Sequence, residues 1–122
     1  MNIAKFRYRE LIEGLRFIAS PYAIQMAAVP DFVDVADEIL NATPSDCWMG
    51  LAAKGFISAE QLAALRRLDT ELDLAAASNN DPEGPSFDAV RERARELLLK
   101  LGEPYRPPDL GHVIWVRSGL QA

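Results

Sequence analysis

Apolar residues recur every three to four positions in several stretches, which is the spacing that places them on one face of an α-helix. The first stretch runs from Asn2 to Ala19, with Gly14 as its one weak helical position. Its apolar face consists of Tyr8, Leu11, Ile12, Leu15 and Ile18. Its charged residues are expected in water: Arg7, Arg9, Glu10, Glu13 and Arg16. Ser20 and Pro21 then end this helix and begin a short one from Tyr22 to Ala28, whose Tyr22, Met26 and Val29 are expected to face the core.

The middle of the chain predicts two helices joined by a tight corner. Thr43 is the expected N-cap of the first helix, and Gly55 is the left-handed residue that ends it. Ser58 and Gln61 form the S-x-x-Q pattern of a capping box at the start of the second helix. That second helix is predicted from Ala59 to about Ala77, with an apolar stripe of Leu62, Leu65, Leu68 and Leu72.

A final helix is predicted after a polar loop at residues 78–85. Ser86 is its expected cap, and the helix runs from Phe87 to Leu101 until Gly102 stops it. Its inner face consists of Phe87, Val90, Ala94, Leu97, Leu98 and Leu101. Its outer face is expected to carry the charged residues Arg91, Glu92, Arg93, Arg95 and Glu96.

Two segments have no clear helical period. The apolar residues of 31–42 fit one helix about as well as a short strand followed by a helical turn, and we favour an extended start through Val35 and then a turn or short helix around Asp37 to Leu40. Residues 103–122 predict a Pro-rich extended tail in which His112 to Val116 form a short strand. This strand would have to pair with residues 31–35, a second copy or a partner protein. We therefore expect a mainly α protein, one domain over residues 1–122: a helical bundle of about five helices with a short C-terminal strand element.

Composition narrows the classes of partner and location. The chain has 122 residues, 49% of them hydrophobic, which suits one core, and its formal net charge is -5. This charge argues against nucleic acid and anionic membranes as partners, because both require an excess of Lys and Arg. Cys47 is the single cysteine, no leader peptide is recognisable, and no apolar run reaches the ~20 residues of a membrane span. We expect a cytoplasmic protein.

Catalytic and metal-binding signatures are missing from the sequence. Cys47 has no CxxC companion, and His112, the only histidine, is distant in the chain. The loop before Val90 has acidic residues at offsets like those of an EF-hand, but Val90 stands where the last carboxylate ligand is required. We therefore predict no enzymatic activity, no catalytic residues, no metal and no cofactor. The helix from Ala59 would be the DNA-reading helix of a helix-turn-helix regulator. It carries the carboxylates Glu60, Asp69, Glu71 and Asp73, which DNA would repel, so this function is disfavoured.

One segment departs from an evenly charged surface. Residues 17–53 contain five carboxylates and no Lys or Arg, so this segment sums to -5, the charge of the whole chain. Apolar residues are interleaved with four of these carboxylates, which favours an acidic rim around an apolar anchor. The predicted partner-binding residues are Asp31, Phe32, Asp34, Asp37, Glu38, Asp46 and, as a possible aromatic anchor, Trp48. Two alternatives stay open here: carboxylates that only solvate a loop and cap helices, and Trp48 in the core.

The order of segments resembles a known class of proteins. LIEGLRFIASPYAIQMAAVPDFVDVADEI, then LAAKGFISAEQLAALRRLDTEL and a Pro-rich close are similar in layout to small acidic bacterial immunity proteins of contact-dependent inhibition and other polymorphic toxin systems. The resemblance spans residues 10 to 105 and assigns no functional residues. It implies a cytoplasmic protein that neutralises a cognate toxin, often a nuclease, by covering its active site or substrate path. The alternatives are a homodimeric structural or regulatory module joined through the His112–Val116 strand, and the helix-turn-helix regulator.

Overall fold

Six α-helices and one 3-10 turn make up the described part of the chain. The computed structural model describes residues 2–78 and 81–110. In chain order the elements are α1 (Ile3–Ala19), α2 (Tyr22–Ala28), α3 (Val35–Asn41), the 3-10 turn Ser45–Cys47, α4 (Trp48–Ala53), α5 (Ala59–Ser78) and α6 (Pro85–Lys100). No strand occurs within these ranges, and the predicted strand at His112–Val116 lies outside them. The prediction of a mainly α single domain is confirmed.

The helix ends follow the local chemistry that the sequence predicts. The Ser58 hydroxyl accepts the backbone N–H of Gln61 at 3.0 Å, and the Gln61 side chain accepts the backbone N–H of Ser58 at 2.8 Å. This is a complete capping box. Gly55 (φ +78°) and Gly102 (φ +73°) follow α4 and α6 in the left-handed region, where a side chain would be strained.

Three helix starts differ from the prediction. α3 already includes Val35, because the Asp34 carboxylate accepts the N–H groups of Ala36 at 2.9 Å and Asp37 at 3.3 Å and so begins the helix early. The first arm of the corner starts as the 3-10 turn after Pro44, so Thr43, which is buried, does not cap it. α6 starts one residue before Ser86 because Pro85 occupies its first position, where a missing N–H costs nothing.

The core lies between α1, α5 and α6. α6 packs along both α1 and α5, while α4 contacts α1 and α5, and α3 contacts α5. The predicted apolar stripes of α5 and α6 are largely buried there, together with most of that of α1: Leu11, Ile12, Leu15, Ile18, Leu65, Leu68, Leu72, Phe87, Val90, Ala94, Leu97 and Leu98. None of the helices in the described ranges combines the length and apolar composition needed to cross a bilayer.

A close approach of two backbones fixes α3 against α1. A Cβ atom placed on Gly14 would lie 2.2 Å from the carbonyl oxygen of Ala42 and 3.1 Å from Cγ2 of Thr43. Only glycine allows the backbone of α1 to approach Ala42 this closely, although glycine lowers the stability of a helix interior. The weak helical position seen in the sequence is the point where the segment after α3 reaches α1.

Three charged residues that were expected in water are buried. Glu13 and Arg16 of α1 are only 3% and 2% exposed, and Arg91 of α6 is also buried. The prediction was wrong at these positions because each charge has partners from elsewhere in the chain. Arg16 pairs with Glu13 at 2.5 Å and donates to the carbonyl of Pro104 at 3.1 Å. A helical wheel contains no information about such partners.

The tail at residues 103–110 has no regular secondary structure and lies against α1. Glu103 accepts a hydrogen bond from the Tyr8 hydroxyl at 3.0 Å, and the backbone N–H of Asp109 donates to Glu13 at 2.7 Å. The Tyr105 hydroxyl lies 2.9 Å from the Ser20 hydroxyl, and its ring stacks with the guanidinium of Arg95 at 5.4 Å. Polar contacts thus hold this part of the tail in place.

Candidate partner-binding surface

The short helix α3 and the four residues before it carry five of the seven predicted partner-binding residues. Its N-terminus is set by the Asp34 cap, and Asp37 and Glu38 occupy its first turn, where the helix dipole favours negative charge. Two grooves flank α3. One groove lies beside α2 and the other beside α1, so carboxylates of this single helix and its approach reach two surfaces.

The α2–α3 groove has a volume of about 430 Å³. Two carboxylates, Asp31 and Asp34, line it, and no Lys or Arg is among the described residues that do so. The rest of the lining is mainly apolar: Tyr22, Met26, Val29, Pro30, Val33, Val35 and Pro82. Met26 is 52% exposed, and Phe32 in the preceding turn is exposed as well. The groove is an acidic rim around an apolar floor.

The α1–α3 groove is smaller, about 290 Å³, and carries mixed charge. Glu38 and Asp46 line it together with Glu10, opposite a single guanidinium, that of Arg7. Leu110, at the end of the described tail, closes one side of it. Burial raises the pKa of the Glu38 carboxyl, because the charged form loses solvation there. Excess negative charge is therefore present on both sides of α3.

Four carboxylates of the acidic segment have no ion-pair partner in the part of the chain that the structure describes. Across residues 2–78 and 81–110, no Lys or Arg lies within ion-pair distance of Asp34, Asp37, Glu38 or Asp46. The ion pairs in these ranges involve carboxylates of α1, α5, α6 and the tail instead. The negative potential of these four carboxylates is therefore not cancelled by a cation of the described ranges, and an incoming basic partner would meet it.

The structure separates the predicted residues into three places. Asp31 and Asp34 line the α2–α3 groove, with Phe32 exposed beside them, and Asp37 is exposed on α3. Glu38 and Asp46 line the α1–α3 groove. Trp48 is 3% exposed, so of the two positions that the sequence left open, it occupies the core. Its indole N–H has no acceptor among the described residues.

The sequence missed the contribution of α2 to this surface. Met26 was expected in the core by its helical spacing, and that expectation is wrong, since more than half of its side chain is exposed. The seven-residue helix α2 buries only Gln25 fully, whose side-chain amide donates to the carbonyls of Phe17 at 2.9 Å and Ile18 at 3.2 Å. A polar residue thus anchors α2, which leaves Met26 outside.

The carboxylates and apolar side chains of this surface suit binding of another molecule by charge and by apolar contact. Where the chain is described, no three His, Cys, Asp or Glu side chains are grouped as metal ligands would be. Cys47 is half-buried in the α1–α3 groove, with its thiol 3.9 Å from the carbonyl of Pro44.

Comparison of the chain with protein-family models, curated proteins and solved structures finds no match.

Proposed function

We propose that this chain is an immunity protein that binds and neutralises a cognate bacterial toxin domain, a basic nuclease, by occluding its active site or substrate path. The observation that supports the proposal best is the α2–α3 groove, whose apolar floor is bordered by Asp31 and Asp34 without a lining Lys or Arg. The layout of the chain, which resembles that of small acidic immunity proteins, agrees with this function.

Electrostatics gives this pairing its physical basis. A nuclease has to present a positive surface to the phosphates of its substrate, so an acidic protein can occupy the same surface. The carboxylates of Asp34 and Asp37, which have no ion pair within the described ranges, would accelerate the encounter and orient the partner. Met26 and the apolar floor would then supply the desolvated centre that gives an interface most of its affinity.

The proposal predicts a gene for a toxin domain beside the gene for this chain, and the test is neutralisation of that domain. Co-expression is expected to restore growth, and the purified proteins should bind with an affinity that falls as salt rises. The variant Asp34→Asn, Asp37→Lys, Met26→Ala should weaken binding at least about 100-fold, since one hot-spot residue and two charges are changed. Asn keeps the α3 cap, so a folding defect is avoided.

A matched control comes from α5. Asp73→Lys, Leu74→Ala changes one exposed carboxylate and one exposed apolar side chain that do not line the groove, and it should leave binding and growth protection unchanged. If the groove variant retains full affinity and the same salt dependence, the groove is not the interface. If wild-type chain gives no protection and no binding, the immunity proposal is wrong.

A further inference from the structure

A third groove, opposite in charge to the α2–α3 groove, lies between α1, the tail and the α4–α5 corner. This basic groove has a volume of about 300 Å³ and is lined by Lys5, Tyr8, Arg9, Ile12, Glu13, Arg16, Phe56, Glu103 and Arg106. Lys5, Arg9 and Arg106 are exposed, and none of them is in an ion pair with a carboxylate of the described ranges. On a chain of net charge -5, such a concentration of free cations is unexpected.

The floor of the basic groove is aromatic and its inner charges are already satisfied. The rings of Tyr8 and Phe56 lie 5.7 Å apart at an angle of 36°. Arg16 is neutralised by Glu13 at 2.5 Å, and Glu103 receives the Tyr8 hydroxyl at 3.0 Å. The groove therefore presents an apolar, aromatic surface lined by three cations that form no ion pair within the described ranges.

The basic groove is separate from the two grooves that flank α3. Along α1, Arg9 and Ile12 line the basic groove, whereas Leu11 and Gly14, two positions on, line the α1–α3 groove. Two residues turn a helix by about 200°, so the two grooves occupy opposite faces of α1. The acidic α2–α3 groove shares no lining residue with the basic groove, since it is formed by α2, the start of α3 and the loop before α6.

We propose that the basic groove is the docking surface for a second copy of this chain, which inserts the acidic rim and Met26 of its α2–α3 groove. Charge complementarity selects this occupant: Lys5, Arg9 and Arg106 would meet the second copy's Asp31, Asp34 and Asp37. The exposed Met26 thioether would pack on the Tyr8 and Phe56 rings, a favourable contact for sulfur.

This contact is heterologous, because each copy uses a different surface to bind the next. Heterologous contacts leave one free groove at each end, so assembly continues beyond the dimer unless the rotation closes a ring. The contact also covers the α2–α3 groove. If that groove binds the toxin, which rests on the proposed function, then self-association and toxin binding exclude each other, while self-association itself needs no toxin.

Sedimentation of the purified chain tests the proposal. At about 0.01 M salt, where the Debye length is ~30 Å, the weight-average mass should rise with protein concentration past that of a dimer. At about 1 M salt, where this length is ~3 Å, it should return to the monomer value. A monomer at every concentration and salt would overturn the proposal and leave the immunity function untouched.

Two variants, each lacking one of the two docking surfaces, provide a more specific test. Lys5→Glu, Arg9→Glu disables only the basic groove, and Asp34→Asn, Asp37→Lys disables only the acidic surface. Each variant alone should stay monomeric at low salt. Mixed, they retain one compatible pair of surfaces and should form a 1:1 dimer that grows no further. A mixture that stays monomeric, or a variant that still assembles like wild type, would contradict the proposal. Lys100→Glu, an exposed control on α6, should assemble normally.

Discussion

Replacing Arg16 by Met is expected to lower the free energy of unfolding by about 3–5 kcal/mol, the cost of removing one member of a buried ion pair. Arg16 is 2% exposed and Glu13 is 3% exposed, so the pair is shielded from water. The guanidinium contacts Glu13 at 2.5 Å and Glu103 at 3.6 Å and also donates to the Pro104 carbonyl. Met fills similar space, so the loss is mainly electrostatic.

The size of the effect depends on which hydrogen-bond partners the Glu13 carboxylate keeps. Without Arg16, the described partner of its carboxylate is the backbone N–H of Asp109 at 2.7 Å. One neutral donor does not compensate a buried negative charge. Because a domain of this size is stable by only about 5–15 kcal/mol, the variant should lose a large fraction of its total stability.

Urea unfolding followed by circular dichroism measures this loss. The double variant Glu13→Leu, Arg16→Met removes both charges and should unfold within about 1 kcal/mol of wild type, because an apolar pair can replace a buried ion pair at little cost. Arg9→Met, an exposed change on the same helix, should stay within about 0.5 kcal/mol. A loss below about 1 kcal/mol for Arg16→Met, or a double variant as unstable as the single one, would refute the reasoning.

Three further predictions concern stability and pH. Gly14→Ala should cost about 1–3 kcal/mol through its clash with the Ala42 carbonyl, whereas Gly50→Ala, with open space around it, should gain about 0.5–1 kcal/mol in urea unfolding. Ser58→Ala should lose about 1 kcal/mol in the same assay. Burial and the hydrogen bond to Glu103 raise the pKa of Tyr8 to about 12. Stability should therefore fall between about pH 10 and 12, where the unfolded chain ionises first, and absorbance titration should show a lower Tyr8 pKa in Glu103→Gln.

Local signals in the sequence were sufficient for most of the helices. The capping box of Ser58 and Gln61 and the left-handed Gly55 depend on residues within three or four positions of one another, so the sequence contains all the partners. The early start of α3 is also local. Asp34 is an N-cap residue, and assigning it that role would have included Val35 in the helix.

The buried charges could not be predicted because their partners are remote in the chain. Arg16 is buried through its contacts with Glu103 and Pro104. Arg91 donates hydrogen bonds to Ser20 and Gln25, which lie more than sixty positions away in the chain. An amphipathic pattern assigns every charge to water unless such a partner is known. The same reasoning explains Met26, whose exposure follows from the anchoring of its neighbour Gln25.

Arg91 connects the buried polar residues Ser20 and Gln25 to the α2–α3 groove. It donates to the Ser20 carbonyl at 3.1 Å, to the Gln25 side chain at 2.7 Å and to the Pro82 carbonyl. Gln25 lies in α2, and Pro82 lines the α2–α3 groove, so one guanidinium fixes both the helix and the loop that border it. The groove therefore keeps its shape through a residue that does not line it. The carboxylates of Asp34 and Asp37 have no ion pair within the described ranges, and the fold is held together by other charges, those buried beneath the surface.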